Sequence, residues 1–241
     1  MFPIRDTIRS YSFPVVNWAI IGANTLVFLY QTRLGPAALE QLIRNFGMVP
    51  ARLSLDNPTI WLSEPFIPFT LVTSQFLHGG WLHLISNMWT LYIFGDNVED
   101  RIGSLRFLFF YLFGGIAANL LQAFVFPDSP IPAVGASGAI AAVLGAYLVL
   151  FPRSRVITLI LIFFFPWFVE ISAIFYLGFW FVTQLYSGVF AFGLPDGTQT
   201  GGIAWWAHIG GFLFGLLLIR LITPRRHPSK LRQYPDEYWP W

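Results

Sequence analysis

The chain has 241 residues, 56% of them hydrophobic and only 11% charged. Soluble domains carry about 25% charged residues, so this is the composition of an integral membrane protein, of a length suited to one domain. The net charge is +2, with the basic residues at segment ends, so nothing points to nucleic acid, and the absence of cysteine excludes disulfides, thiolate metal sites and cysteine catalysis.

A spanning helix needs about 20 mostly apolar residues. Six are expected, near 14–32, 80–97, 104–126, 136–152, 168–190 and 204–223. Arg5 and Arg9 precede the first of them. That run is as long as a span and lacks a clear small-residue cleavage site, so it reads as an uncleaved helix. Residues 33–79 form a long first loop, holding a short amphipathic helix in "PAALEQLIRNFG" and the apolar stretch "EPFIPFTLVTSQFL". Such a loop is expected to lie partly embedded at the membrane interface.

Residues 155–190 have two readings: one helix after a re-entrant or interfacial stretch, or two helices broken at Pro166 and Glu170. Charge favours the first. With six helices, 11 of the 14 basic residues fall on one side, which the positive-inside rule makes cytoplasmic. A seventh helix would put the C-terminal basic cluster outside. Glu170 then lies near the cytoplasmic start of the fifth helix, where a carboxylate is less costly than at mid-bilayer. The expected fold class is an all-α membrane protein, a six-helix bundle. Residues 1–12 are a cytoplasmic N-terminal segment, 13–223 the membrane domain and 224–241 a cytoplasmic tail that anchors topology.

Polar residues inside spanning helices are functional candidates by default. Helix two opens with His78, His83 and Asn87, helix four with Ser137 in "GASG", and helix six with His208 in "AWWAHIGG". Even-numbered helices run in the same direction, so all three clusters share one layer, toward the outer side. His83 and Asn87 are four residues apart and share a face. Ser137, Ala141 and Gly145 form a small-residue stripe on helix four; Ala204, His208, Gly211 and Gly215 form another on helix six. Facing stripes of this kind let backbones approach closely in lipid and bring Ser137 to His208. A serine beside a histidine is the minimal activated nucleophile, the histidine taking and returning the proton. Asp128 and Asp196 are the nearest carboxylates in the layer, and neither is expected to bond His208, so the expectation is a dyad. Asn87, His83 and the Ser137 backbone N–H, at a helix N-terminus, are the candidate oxyanion donors. The flanking glycines let the chain turn sharply and a peptide approach.

With "HGGWLHLISN", "FGDNVEDRIG", "GASGAIAAVLGAY" and "AHIGGFLFG" in that order, the chain resembles the rhomboid intramembrane serine proteases across essentially its whole length. The resemblance implies a six-helix core with the site below the outer surface. It makes Ser137 the nucleophile, His208 the base and His83 and Asn87 oxyanion residues. Gly135 and Gly138 match its G-x-S-G, and Gly211 and Gly215 its close-packed sixth helix. Two departures stand out. Ala141 occupies the position where some members stack a tyrosine on the histidine, and the first loop lacks the Trp-Arg pair some carry. The implied substrates are transmembrane segments of other proteins, entering past the fifth helix and its loop "AFGLPDGTQTGG", with no metal or organic cofactor. A bacterial cell membrane is the expected location; oligomeric state stays open. Taken singly, His78 reads as structural or at the loop rim, and Asn119 and Gln122 as interhelical bonds. The rival functions are a non-catalytic binder or chaperone for unstable helices on the same scaffold, and a transporter. The transporter would want charge pairs or broken helices at mid-depth.

Overall fold

The structure is a computed structural model describing residues 2–53, 64, 66–193 and 203–224. The expected C-terminal tail from residue 225, and most of the loop after the fifth helix with Asp196, lie outside the described residues. The helices are α1 (Val15–Gln31), α2 (Pro36–Phe46), α3 (Pro50–Leu53), α4 (Thr70–Thr73), α5 (Trp81–Ile102), α6 (Ser104–Val125), α7 (Ser137–Leu150), α8 (Ala173–Phe190) and α9 (Trp205–Ile222). Among the described residues three, α6, α8 and α9, are long and apolar enough to cross a membrane. The shorter α1 and α7 are apolar as well. In the first loop α2 forms where the amphipathic helix is expected, with Gly35 before it, Pro36 at its first position and Gly47 after it.

The glycine between α5 and α6 shows why their boundary is so sharp. Gly103 sits at φ +88°, in the left-handed region that a side chain resists, and it caps both helices at once. Beside this turn the buried Glu99 accepts hydrogen bonds from the backbone N–H groups of Val16 (3.0 Å) and Asn17 (2.7 Å). These are opening N–H groups of α1, which no intrahelical carbonyl can satisfy, and a carboxylate suits the positive end of the helix dipole.

The expectation of an all-α chain needs correction. Three strands, β1 (Phe2–Asp6), β2 (Arg155–Ile162) and β3 (Phe165–Ser172), make an antiparallel sheet in the order β1-β2-β3. The fifth helix therefore starts at Ala173, not near 168, and Glu170 stands on β3, 3.2 Å from Arg155 on β2. The physical reason is composition. "RVITLILI" and "FPWFVEIS" are rich in β-branched and aromatic residues, and a run apolar on both faces has no period to distinguish strand from helix. The sheet docks through Asp6, whose Oδ2 accepts from the Tyr147 hydroxyl on α7 and from Asn97 Nδ2 (2.7 Å) on α5. Burial pushes the Asp6 carboxyl up to about 8, with the neighbouring Asp96 charge adding to the rise.

α7 is the centre of the bundle, with every residue from Gly138 to Tyr147 buried. Its contact with α9 is backbone against backbone. A Cβ on Gly211 would stand 2.0 Å from the Gly138 carbonyl oxygen, and one on Gly215 1.9 Å from that of Ala142. From the other side, a Cβ on Gly145 would meet the Phe212 carbonyl oxygen at 2.2 Å. Small residues at this spacing allow the approach.

Two tests follow. Gly215→Leu should separate α7 from α9 and cost about 1–3 kcal/mol, as overpacking does. Gly22→Ala on α1, with nothing within 4 Å of the new Cβ, should be neutral or stabilising by about 0.5–1 kcal/mol. Thermal unfolding in detergent compares them. For Asp6, the folded carboxyl binds its proton more tightly than the unfolded one, so stability should fall as pH rises from about 4 to about 8. Asp6→Asn should flatten that slope in the same unfolding assay.

Candidate active site

Ser137 opens α7, following the Gly135–Ala136 turn. Gly135 has φ +129°, and a Cβ there would lie 2.7 Å from His83 Nε2, so the position needs glycine on both counts. The turn is held by Gly135 N–H donating to the Ser74 carbonyl (2.9 Å). Asn119 Nδ2 on α6 in turn donates to Ser74 Oγ (2.9 Å) and to the Leu71 carbonyl (2.9 Å). Gln122, also on α6, accepts from the Ala207 N–H (3.2 Å) in the first turn of α9. The α6 amides thus fix the loop before Ser137 and the start of the helix that carries His208.

Ser137 Oγ and His208 Nε2 lie 2.8 Å apart, both side chains half-buried. The other ring nitrogen, Nδ1, is 2.8 Å from Gln184 Oε1 on α8. The Gln184 amide cannot turn round without loss, because its Nε2 donates to the Trp180 carbonyl (3.2 Å) and to Thr183 Oγ1 (3.0 Å). Its oxygen therefore faces the ring, Nδ1 carries the proton and Nε2 is left to accept from the serine hydroxyl. Two indoles flank the imidazole: Trp180 with centroids 5.9 Å apart and Trp205 edge-on at 6.1 Å. Ala141 brings no ring to the imidazole, and Gln184, Trp180 and Trp205 hold it.

On α5, His83 Nδ1 accepts from the Gly79 N–H at 3.4 Å, so Nε2 bears the hydrogen and is presented beside Gly135. Asn87 is buried one turn below and donates from Nδ2 to His78 Nε2 (3.1 Å). Its second amide hydrogen is not used in that bond, and Nδ2 stands 3.7 Å from the Cβ position of Gly135. His78 is buried, not at a rim. Its backbone is held by Gln31, which donates to the His78 carbonyl (3.1 Å) and accepts from its N–H (3.0 Å). Burial, and then the neighbouring His83, pushes the His78 imidazole down to about 4, so it is neutral and able to accept from Asn87. The fold thus brings Ser137, His208, His83, Asn87 and Gly135 into one layer. Gly138 and Gly211 meet behind it, at the helix contact described above. Gln184, Trp180 and Trp205 were not anticipated as partners of His208, although Gln184 is an amide on an apolar helix and the rule about polar residues in spanning segments covers it.

The family model of the rhomboid domain matches residues 67–225, and the chain belongs to the rhomboid family. RHOMBOID-like protein 4 of Arabidopsis thaliana is 33% identical over 206 residues, 83% of this chain and 43% of that protein. Rhomboid-like protein 11, chloroplastic, from the same plant is 44% identical over 72 residues, 30% of this chain and 25% of that protein. Rhomboid protease GluP of Bacillus subtilis (strain 168) is 47% identical over 78 residues, 32% of this chain and 15% of the relative. The chain thus spans less than half the length of each.

Replacing Gln184 with Leu removes the acceptor at Nδ1. The His208 imidazole should then populate both neutral tautomers, seen as converging ring 15N chemical shifts, whereas the wild type should show one.

Proposed function

We propose that this chain is an intramembrane serine endopeptidase that cuts transmembrane segments of other proteins. The observation that carries the reading is the Ser137 Oγ–His208 Nε2 contact at 2.8 Å, with Nδ1 tied to Gln184. Ser137 attacks the substrate carbonyl while His208 Nε2 takes its proton. The oxyanion that forms is met by His83 Nε2–H, by the second N–H of Asn87 and by the backbone N–H of Ser137 at the start of α7. His208 then returns the proton to the leaving amine, an acyl-enzyme stands on Ser137, and water hydrolyses it with His208 again as base. Gln184 touches no reacting atom; it is a positioning residue for the base.

The same reading takes α1, α5, α6, α7, α8 and α9 as six spans, with both termini cytoplasmic and the site toward the outer side. Family membership and the like direction of α5, α7 and α9 support it. A substrate helix approaches past α8, of which only Ala173, Leu177, Gln184 and Gly188 are buried. It must unwind locally to offer a carbonyl, so helix-weakening residues near the cut should favour cleavage.

Cleavage of a single-span reporter in liposomes tests this. Ser137→Ala and His208→Ala should each abolish product. Asn87→Ala should lower kcat by roughly 10²–10³-fold, as loss of one oxyanion donor does. Product from Ser137→Ala would rule out the assigned nucleophile. A folded wild type that cuts none of several reporters would favour a non-catalytic binder.

A further inference from the structure

The β2–β3 hairpin has no role in the chemistry above, and its surface is unlike that of a solvated loop. From Val156 to Val169 it carries fourteen residues without a charge, and the Arg155–Glu170 pair closes it at the root. Beyond Leu159, the last partner of β1, Ile160 is half-buried and every residue from Leu161 to Glu170 is exposed. Phe163 is 89% exposed and Phe164 99%, with Leu161, Phe165, Trp167 and Phe168 exposed beside them. Those two phenylalanines form the turn itself, at φ +48° and +72°. A two-residue hairpin turn with both residues at positive φ favours Asn-Gly or similar pairs. Here bulky aromatics occupy it against backbone preference.

The direction of the strands says where that tip goes. β1 lies along α5. Asp6 meets Asn97, and Pro3, three residues back, accepts from Trp89 Nε1 (2.7 Å), two turns further from the α5 end that adjoins Gly103. Phe2 stacks on the same indole at 5.5 Å. Eight helical residues span about 12 Å and three strand residues about 10 Å, so strand and helix run side by side. β2 pairs with β1 from Asp6–Val156 to Phe2–Leu159, and continues the same way. The hairpin is thus directed along the bundle's apolar flank, away from the helix ends that would meet water. At its root, Ile171 joins Phe175, Tyr176, Phe179, Trp180 and Thr183 of α8 around a trough of about 530 Å³. Ile174, Phe175 and Phe179 continue the exposed apolar surface along α8.

We propose that this hairpin is a lipid-inserted element: its aromatic tip sits among the acyl chains of the leaflet on the side of the N-terminus, and an acyl chain lies in the trough between its root and α8. Free strand edges cannot remain unhydrated in hydrocarbon, so the backbone of the ribbon stays at the interfacial boundary and the aromatic side chains of its tip reach down to the acyl chains. The proposal does not depend on the protease reading.

The chain contains no cysteine, so a single probe can be placed at will. Phe164→Cys and Phe168→Cys, labelled with an environment-sensitive NBD fluorophore and reconstituted into phosphatidylcholine vesicles, give the depth. Arg153→Cys is the aqueous reference. Both hairpin sites should emit to the blue of the reference and be quenched severalfold more strongly by lipids bearing a nitroxide on the acyl chain. Water-like emission with quenching equal to the reference at both sites overturns the proposal. So does disulfide cross-linking between unlabelled Phe164→Cys chains that, started with a copper–phenanthroline oxidant after dilution with lipid, is as extensive as before dilution, which would make the occupant a second copy. Two sites are used because Phe164 forms the turn; a water-like signal at Phe164 alone reports a broken turn, and Phe168 then decides.

Discussion

The contact on which the rest depends is the one between α7 and α9. In lipid there is little hydrophobic force to press helices together, so close packing has to do it. Here the packing is as tight as backbone allows: at Gly211 and Gly215 even a methyl group would fall about 2 Å from a carbonyl oxygen of α7. That approach sets the depth of His208 relative to the first residue of α7. Everything else in the layer is adjusted to it. The α6 amides hold the turn before Ser137 and the start of α9, and α5 supplies His83 and Asn87 from the opposite side.

α7 is fixed at both ends as well as along its length. Its first residue is Ser137, and its Tyr147 hydroxyl donates to Asp6 of the N-terminal strand. The sheet is therefore part of the support for the site, although it lies at the other end of the bundle. It also joins two remote pieces of chain, since β1 comes from the N-terminus and β2–β3 from the segment between α7 and α8. α8 differs from α7. It starts from the hairpin, with Ala173 N–H donating to the Ser154 carbonyl (2.9 Å), and most of its surface is uncovered.

How much of this was legible in the sequence depends on the kind of information each feature needs. Ser137 and His208 could be matched because helix direction and small-residue stripes are periodic, and periodicity is local. The rhomboid resemblance rested on the same short motifs. The hairpin was not legible for the opposite reason: with both faces apolar, residues 155–172 carry no alternation, and charge could favour only a re-entrant or interfacial stretch before the fifth helix, without giving it strands. Asp6 and Tyr147 are 141 residues apart, and nothing local to either marks the other as its partner. Gln184 was visible as an amide on an apolar helix, but its partner follows only from how α8 rotates against α9. His78 reads from the sequence as structural or at the loop rim; it is buried, and its ring accepts from Asn87.

The Gln184–His208 bond has a consequence for timing. His208 is tethered to α8, the least enclosed of the helices around the site, while Ser137 is fixed on α7, the most enclosed. Under the proposed protease reading, a helix that stepped aside to admit a substrate would take the tether with it and leave the imidazole free to turn its proton toward the serine. In such an open state the dyad would be disarmed, to be armed again only when α8 returned. A single amide would then serve as a safety catch.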